Sequence, residues 1–124
     1  MQNLNSKFKT NLSQRCFSFG LQVISLTDNL LQKRSAWVIS DQLIRSATSI
    51  GANIIEARAS SSRLEFKKYY EIALKSANET KYWLEMLREA KLANKEAIEL
   101  LLTELQELSN MLGASVIKLK QKVL

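Results

Sequence analysis

Apolar residues recur every three or four positions along most of this chain, the period of one face of an α-helix. The clearest run, Leu12, Cys16, Phe19, Val23, Leu26 and Leu30, steps by four and three. The 124 residues hold no proline and only three glycines, each isolated. Tight turns between strands draw on those two residues, so a sandwich or barrel is excluded and helices joined by short loops remain. The length suits one domain around one core.

Four helices are predicted, over residues of about 6–32, 41–58, 63–92 and 95–122. The first carries a second apolar stripe, Phe17, Leu21, Ile24 and Leu31, and ends at the polar stretch Gln32, Lys33, Arg34 and Ser35. Ser40 followed by Asp41 reads as an N-cap and first-turn acid for the second helix, with Ala36 to Ile39 read as a packed loop in preference to an early helical turn. The core stripe of that helix is Leu43, Ala47, Ile50, Ile54 and Ala57.

Ser62 with Glu65 three residues later forms a capping box for the third helix. Its inner stripe is Phe66, Tyr70, Ala73, Ala77, Thr80, Leu84 and Leu87, and a second stripe, Tyr69, Ile72, Ser76, Glu79, Trp83 and Met86, runs beside it. Asn94 caps the last helix, in which Ile98, Leu101, Leu105, Leu108, Leu112 and Leu119 repeat and Leu100 and Leu102 widen the face. Gly113 falls inside this pattern at a cost of up to about 1 kcal/mol against alanine.

Short connections between such helices imply an all-α, antiparallel up-down-up-down four-helix bundle. The doubled stripes exceed what one small bundle buries, and large exposed apolar area usually marks an interface. Self-association is the expected consequence, with Tyr69, Trp83 and Met86 at the interface and Trp83 as its anchor.

The chain has no histidine and a single cysteine, Cys16, so an internal disulfide, a thiolate metal site and the commonest general base are all missing. The Glu-x-x-His pairs of di-iron bundles are absent, as are Gly-rich phosphate loops. No catalytic residue, metal or cofactor is expected, and Cys16 reads as a small core residue in a reducing cytosol. The N-terminus lacks an apolar signal core, and no apolar run approaches the roughly 18 residues of a membrane span, so a soluble, cytoplasmic protein without membrane contact is expected.

Two polar groupings invite a functional reading. On the second helix Ser46, Ser49, Asn53 and Glu56 line one face, matched on the third by Ser76 and Glu79. Either they form a pocket, or Ser49, Asn53, Glu56 and Glu79 belong to a structural seam that fixes register. The second reading is preferred because no nucleophile with a base lies near. Asn53 and Glu56 are also candidate acceptors for Arg45 or Arg58.

The second grouping follows from topology. Lys and Arg number 18 against 12 Asp and Glu, a formal charge of +6. In an up-down bundle one end collects Lys7, Lys9, Arg15, Arg58, Arg63, Lys67, Lys68, Lys118, Lys120 and Lys122 against Glu56, Glu65 and Glu71. Lysines at a helix C-terminus complement the macrodipole, but Lys67 and Lys68 in a first turn oppose it. The pole is either a solvated end or a phosphate-binding surface. Tyr69 and Tyr70 beside it suit stacking on unpaired bases or, more simply, packing.

The stretch from Gln42 to Ile50, with Asn53, Ile54 and Glu56, then Glu65 and Phe66, then Ile72 to Lys75 and Asn78 to Glu85, resembles the bacterial four-helix bundle proteins encoded in 23S rRNA intervening sequences. That family includes the accessory variability proteins of diversity-generating retroelements. The resemblance spans residues 12 to 120, and its strongest parts are Ser-Ile-x-x-Asn-Ile-x-Glu and Glu-Thr-x-Tyr-Trp-Leu-Glu. The family's Ala-Glu-Gly reads Ile55, Glu56 and Ala57 here, and Gly51 stands where a proline often follows Ser-Ile. The resemblance implies a homopentamer with a basic surface and no known catalysis. In the retroelement branch it implies a nucleic-acid-binding partner of a reverse transcriptase.

The expected function is therefore a non-enzymatic, oligomeric bundle that binds RNA or DNA, contacting it through Lys7, Lys9, Arg58, Arg63, Lys67, Lys68, Lys118, Lys120 and Lys122. The alternative is an adaptor that docks a protein such as a reverse transcriptase and meets nucleic acid incidentally. An enzyme built on Asn53 and Glu56 is the least favoured reading.

Overall fold

The computed structural model describes residues 12–30 and 32–123, with the side chains of 122 and 123 left aside. It is all-α, with four helices among the described residues: α1 (Leu12–Asp28), α2 (Arg34–Arg58), α3 (Arg63–Glu89) and α4 (Lys95–Val123). Residues 6–11, where the first helix was expected to begin, and Leu31 lie outside the described residues.

Successive helices pack on one another and α1 also packs on α4, while the backbones of α1 and α3, and of α2 and α4, stay apart among the described residues. That arrangement encloses one core. The stripes expected from spacing supply it: Phe19, Val23, Leu43, Ile50, Ile54, Leu84, Leu87, Ile98, Leu108 and Leu112 are all buried. No helix among the described residues is long and apolar enough to cross a membrane.

Two caps form as their sequences indicate. The Glu65 amide donates to the Ser62 hydroxyl at 3.1 Å, and the Glu65 carboxylate accepts from the Ser61 amide at 3.0 Å, one residue before the position of a standard capping box. The Asn94 side chain accepts from the Ala97 amide at 2.8 Å and starts α4.

The start of α2 corrects the sequence expectation. The helix begins at Arg34, with Lys33 as an extended N-cap residue lacking a side-chain cap bond, so Ala36 to Ile39 are helical and Ser40 is no cap. Ala36 and Ser40 continue the core stripe of Leu43 and Ala47 by steps of four and three, and both are buried. Burial along that stripe outweighs the capping preference of serine, and the Ser40 hydroxyl is left without a hydrogen-bond partner among the described residues.

Two helices stop earlier than expected. α1 ends at Asp28, where the Asn29 side-chain amide turns back and donates to the Ser25 carbonyl at 2.9 Å. α3 ends at Glu89. Lys91 adopts φ 59°, its amide donates to Arg88, and the Leu92 amide donates to Leu87 at 3.0 Å. This is a Schellman termination, with buried Leu92 providing its apolar contact and lysine in the left-handed position that glycine usually fills.

Glycine allows one close helix contact. A methyl group at Gly51 would sit 3.2 Å from the Cys16 Cβ, so α1 and α2 approach closely there. At Gly113 the same methyl group would meet nothing within 4 Å.

Candidate nucleic-acid interface

Arg63 opens α3, and Phe66 and Tyr70 follow at the three- and four-residue spacings that keep them on one side of the helix. Across from them stand Ser115, Lys118 and Leu119 of α4, and the six residues line one cleft. The Phe66 and Tyr70 rings stack, with centroids 4.8 Å apart and planes 20° apart. Both are half-buried, so each keeps some ring surface open to solvent. Burial pushes the Tyr70 phenol above its ordinary value, while the charge of Arg58, in the last turn of α2, pulls against it and that of Cys16 adds to it. Tyr70 therefore stays a neutral hydroxyl at physiological pH.

Two cations from two helices, Arg63 and Lys118, line this cleft, which has no carboxylate among its described lining residues, and Arg58 is near enough to act on the Tyr70 phenol by charge. None of them makes an ion pair among the described residues. Lys67, half-buried, lies one turn after Arg63. Lys68 and Lys120 are exposed, and each lies well round its helix from the cleft-lining residues. Lys7 and Lys9 lie outside the described residues, as does the side chain of Lys122.

Arg15 leaves the expected basic group. Its guanidinium grips Glu104 with two bonds, at 2.6 and 3.1 Å, and reaches Glu107 at 2.8 Å. Those hydrogen bonds, Glu104 first, hold its pKa above the ordinary arginine value. The pairing joins α1 to α4 and consumes the charge that spacing alone had assigned to the pole.

The polar face between α2 and α3 is a hydrogen-bonded chain. The Asn53 side-chain amide donates to the Ser49 carbonyl at 2.8 Å and its hydroxyl at 3.0 Å, and that hydroxyl lies 3.0 Å from the Ser76 hydroxyl. One turn further in, the hydroxyls of Thr80 and buried Ser46 are 3.0 Å apart, and Thr80 reaches the Ser76 carbonyl at 2.7 Å. Glu56 and Glu79 stand apart from it. Both are exposed, and Glu79 accepts from the Trp83 indole at 2.9 Å. A carboxylate is costly to bury without a partner, and both keep water instead.

The apolar faces divide unevenly. On α3 Tyr69 and Trp83 are half-buried and Met86 is 36% exposed, while Tyr82 packs edge-on against Trp83 and is the more exposed ring at 54%. The second stripe of α1 is far more open: Phe17 is 69% and Leu21 54% exposed. They border a groove of about 950 Å³ between α1 and α2, whose lining also includes the small residues Gly20, Gly51 and Ala52. Trp37 and Val38, assigned to a loop from sequence, are exposed apolar residues on α2. Cys16 is buried beneath the groove, and burial pushes its thiol up to about 12.

Comparison with known proteins bears on what this arrangement serves. No curated protein matches the chain. A crystal structure from Bacteroides thetaiotaomicron, of a protein of unknown function in the S23 ribosomal protein family, is similar at a TM-score of 0.80 and 35% identity, covering 86% of this chain and 98% of that one. The description 23S rRNA-intervening sequence protein matches residues 9–114, which take in all of α1 to α3 and most of α4, and the chain belongs to that family.

Proposed function

We propose that the protein is a non-enzymatic, basic subunit of a homo-oligomer, five copies by family resemblance, that binds RNA or DNA through one end of an up-down-up-down bundle in the cytoplasm. The observation that carries this reading is that Arg63 and Lys118 line one cleft with no carboxylate among its described lining residues, with Arg58 acting by charge on Tyr70 of the same cleft. Like charges repel, so an uncompensated cluster is stable mainly by virtue of solvent and of the anions it attracts.

The helix order is supported by cross-helix pairs whose numbers run in opposite senses. Ser46 meets Thr80 and Ser49 meets Ser76, while Arg88 pairs with Glu99 and Phe66 shares a cleft with Leu119. With that order, the end of α2, the start of α3 and the end of α4 fall together. Oligomerisation is supported by the exposed Phe17, Leu21, Trp37 and Tyr82, since exposed apolar area on this scale marks interaction surfaces.

Contacts to phosphates carry little sequence information, so RNA and DNA both bind, with Kd at best around micromolar near physiological salt. Anisotropy titrations of a labelled duplex over a salt series test this reading. The logarithm of the binding constant falls linearly with log salt, by about 0.9 per phosphate neutralised. The groove between α1 and α2 favours a second reading, an adaptor that docks a protein such as a reverse transcriptase. Apolar docking resists salt, so binding of nucleic acid that is absent even at low salt favours the adaptor.

A further inference from the structure

We infer that the cleft between α3 and α4 takes an unpaired base, so that the basic end prefers single-stranded nucleic acid to duplex. The inference rests on the nucleic-acid reading above and names its substrate class.

A surface that holds phosphates by charge alone has no reason to carry rings. Here Phe66 and Tyr70 line the same cleft as Arg63 and Lys118, and both rings keep part of their surface open. The combination of cations for a backbone and aromatic faces for bases is how sequence-tolerant single-strand sites are built. Ser115 adds a hydrogen-bonding group to the lining of the same cleft. In a duplex the bases are paired and stacked inside, where a recessed pair of rings cannot reach them. In a single strand a base can turn out and enter.

Electrostatics argues the other way, which makes the inference discriminating. Duplex DNA packs charge more densely than a single strand and gains more per phosphate from counterion release, about 0.9 against 0.7 in the salt slope. A purely basic end therefore favours duplex. Preference for the single strand demands a contribution from the bases.

The test compares one mixed-sequence DNA oligonucleotide of about 16 nucleotides, lacking self-complementarity, with its own duplex, by anisotropy at one fixed salt concentration. The single strand binds tighter than the duplex, and loss of one stacked base costs single-strand binding about 5-fold or more. Phe66→Leu with Tyr70→Leu, checked for helicity and melting, narrows that difference. Because Tyr70 also packs on the core, a second measurement uses the unaltered protein: photocrosslinking to a 5-bromodeoxyuridine single strand joins it to the peptide containing residues 66 and 70. Equal or tighter duplex binding, or crosslinks confined elsewhere, overturns the inference and leaves the basic-surface reading standing. Failure of both nucleic acids to bind at low salt overturns both.

Discussion

Arg63 and Lys118 face one cleft from different helices, and neither is held by an ion pair among the described residues. Removing one of two neighbouring like charges relieves repulsion, so Lys118→Gln leaves the melting temperature unchanged or slightly raised, as exposed substitutions within about 0.5 kcal/mol do. The same change weakens RNA and DNA binding and makes the salt slope shallower by about one unit. Calorimetry and titration on one preparation check the pair of outcomes.

Arg15 is the opposite case, a cation committed to structure. Its fork on Glu104 is partly shielded from water, with side chains about 30% exposed. Arg15→Gln is expected to lower stability by about 1 kcal/mol, discounted for that exposure, and to lose part of this effect near 1 M salt. Denaturant titrations at two ionic strengths measure it.

Along the α2–α3 seam, Asn53→Ala removes two donated bonds and leaves the Ser49 hydroxyl with Ser76 alone, at an expected cost of about 1–2 kcal/mol. Exposed Glu56→Ala stays within about 0.5 kcal/mol. Neither is expected to alter nucleic-acid binding by the folded protein. Urea midpoints with binding assays separate these outcomes.

Backbone conformation offers two gains. Gly113→Ala fills open space inside α4 and is expected to stabilise by about 0.5–1 kcal/mol. Lys91→Gly relieves a left-handed residue and is expected to gain a similar amount, about 1 kcal/mol. Thermal melts of the single and double variants test both, with near-additive effects because the sites share no partner.

What was legible in the sequence was local. Ser62 and Asn94 announce helix starts because capping acts over three residues, and the leucines of α4 mark its core face by their period. The first two turns of α2 were hidden because Ser40 sits on the core stripe and reads as polar. The end of α3 was hidden because Lys91 occupies a position whose usual signal is glycine. The seam was visible as spacing, yet its outer members Glu56 and Glu79 remain in water, because one helix's period does not say how far the neighbouring helix covers it. Arg15 was misassigned because Glu104 and Glu107 reach it only through packing across the fold. The same packing creates the cleft, since nothing in the separate segments 63–70 and 115–119 says that they meet.

The central claim is that the basic end binds phosphate backbones, and charge reversal of Lys67 and Lys68 together tests it most directly. Both lie in the second turn of α3, far from the C-terminal end at which a helix dipole favours cations, so dipole compensation does not explain them. The measurement is the salt dependence of RNA and DNA binding by Lys67→Glu with Lys68→Glu, with oligomeric state followed by light scattering. An intact oligomer with weakened binding and a shallower slope, by about one unit for each of the two lysines that contacts a phosphate, is the predicted result. An intact oligomer that binds both nucleic acids as the unaltered protein does at low salt contradicts it.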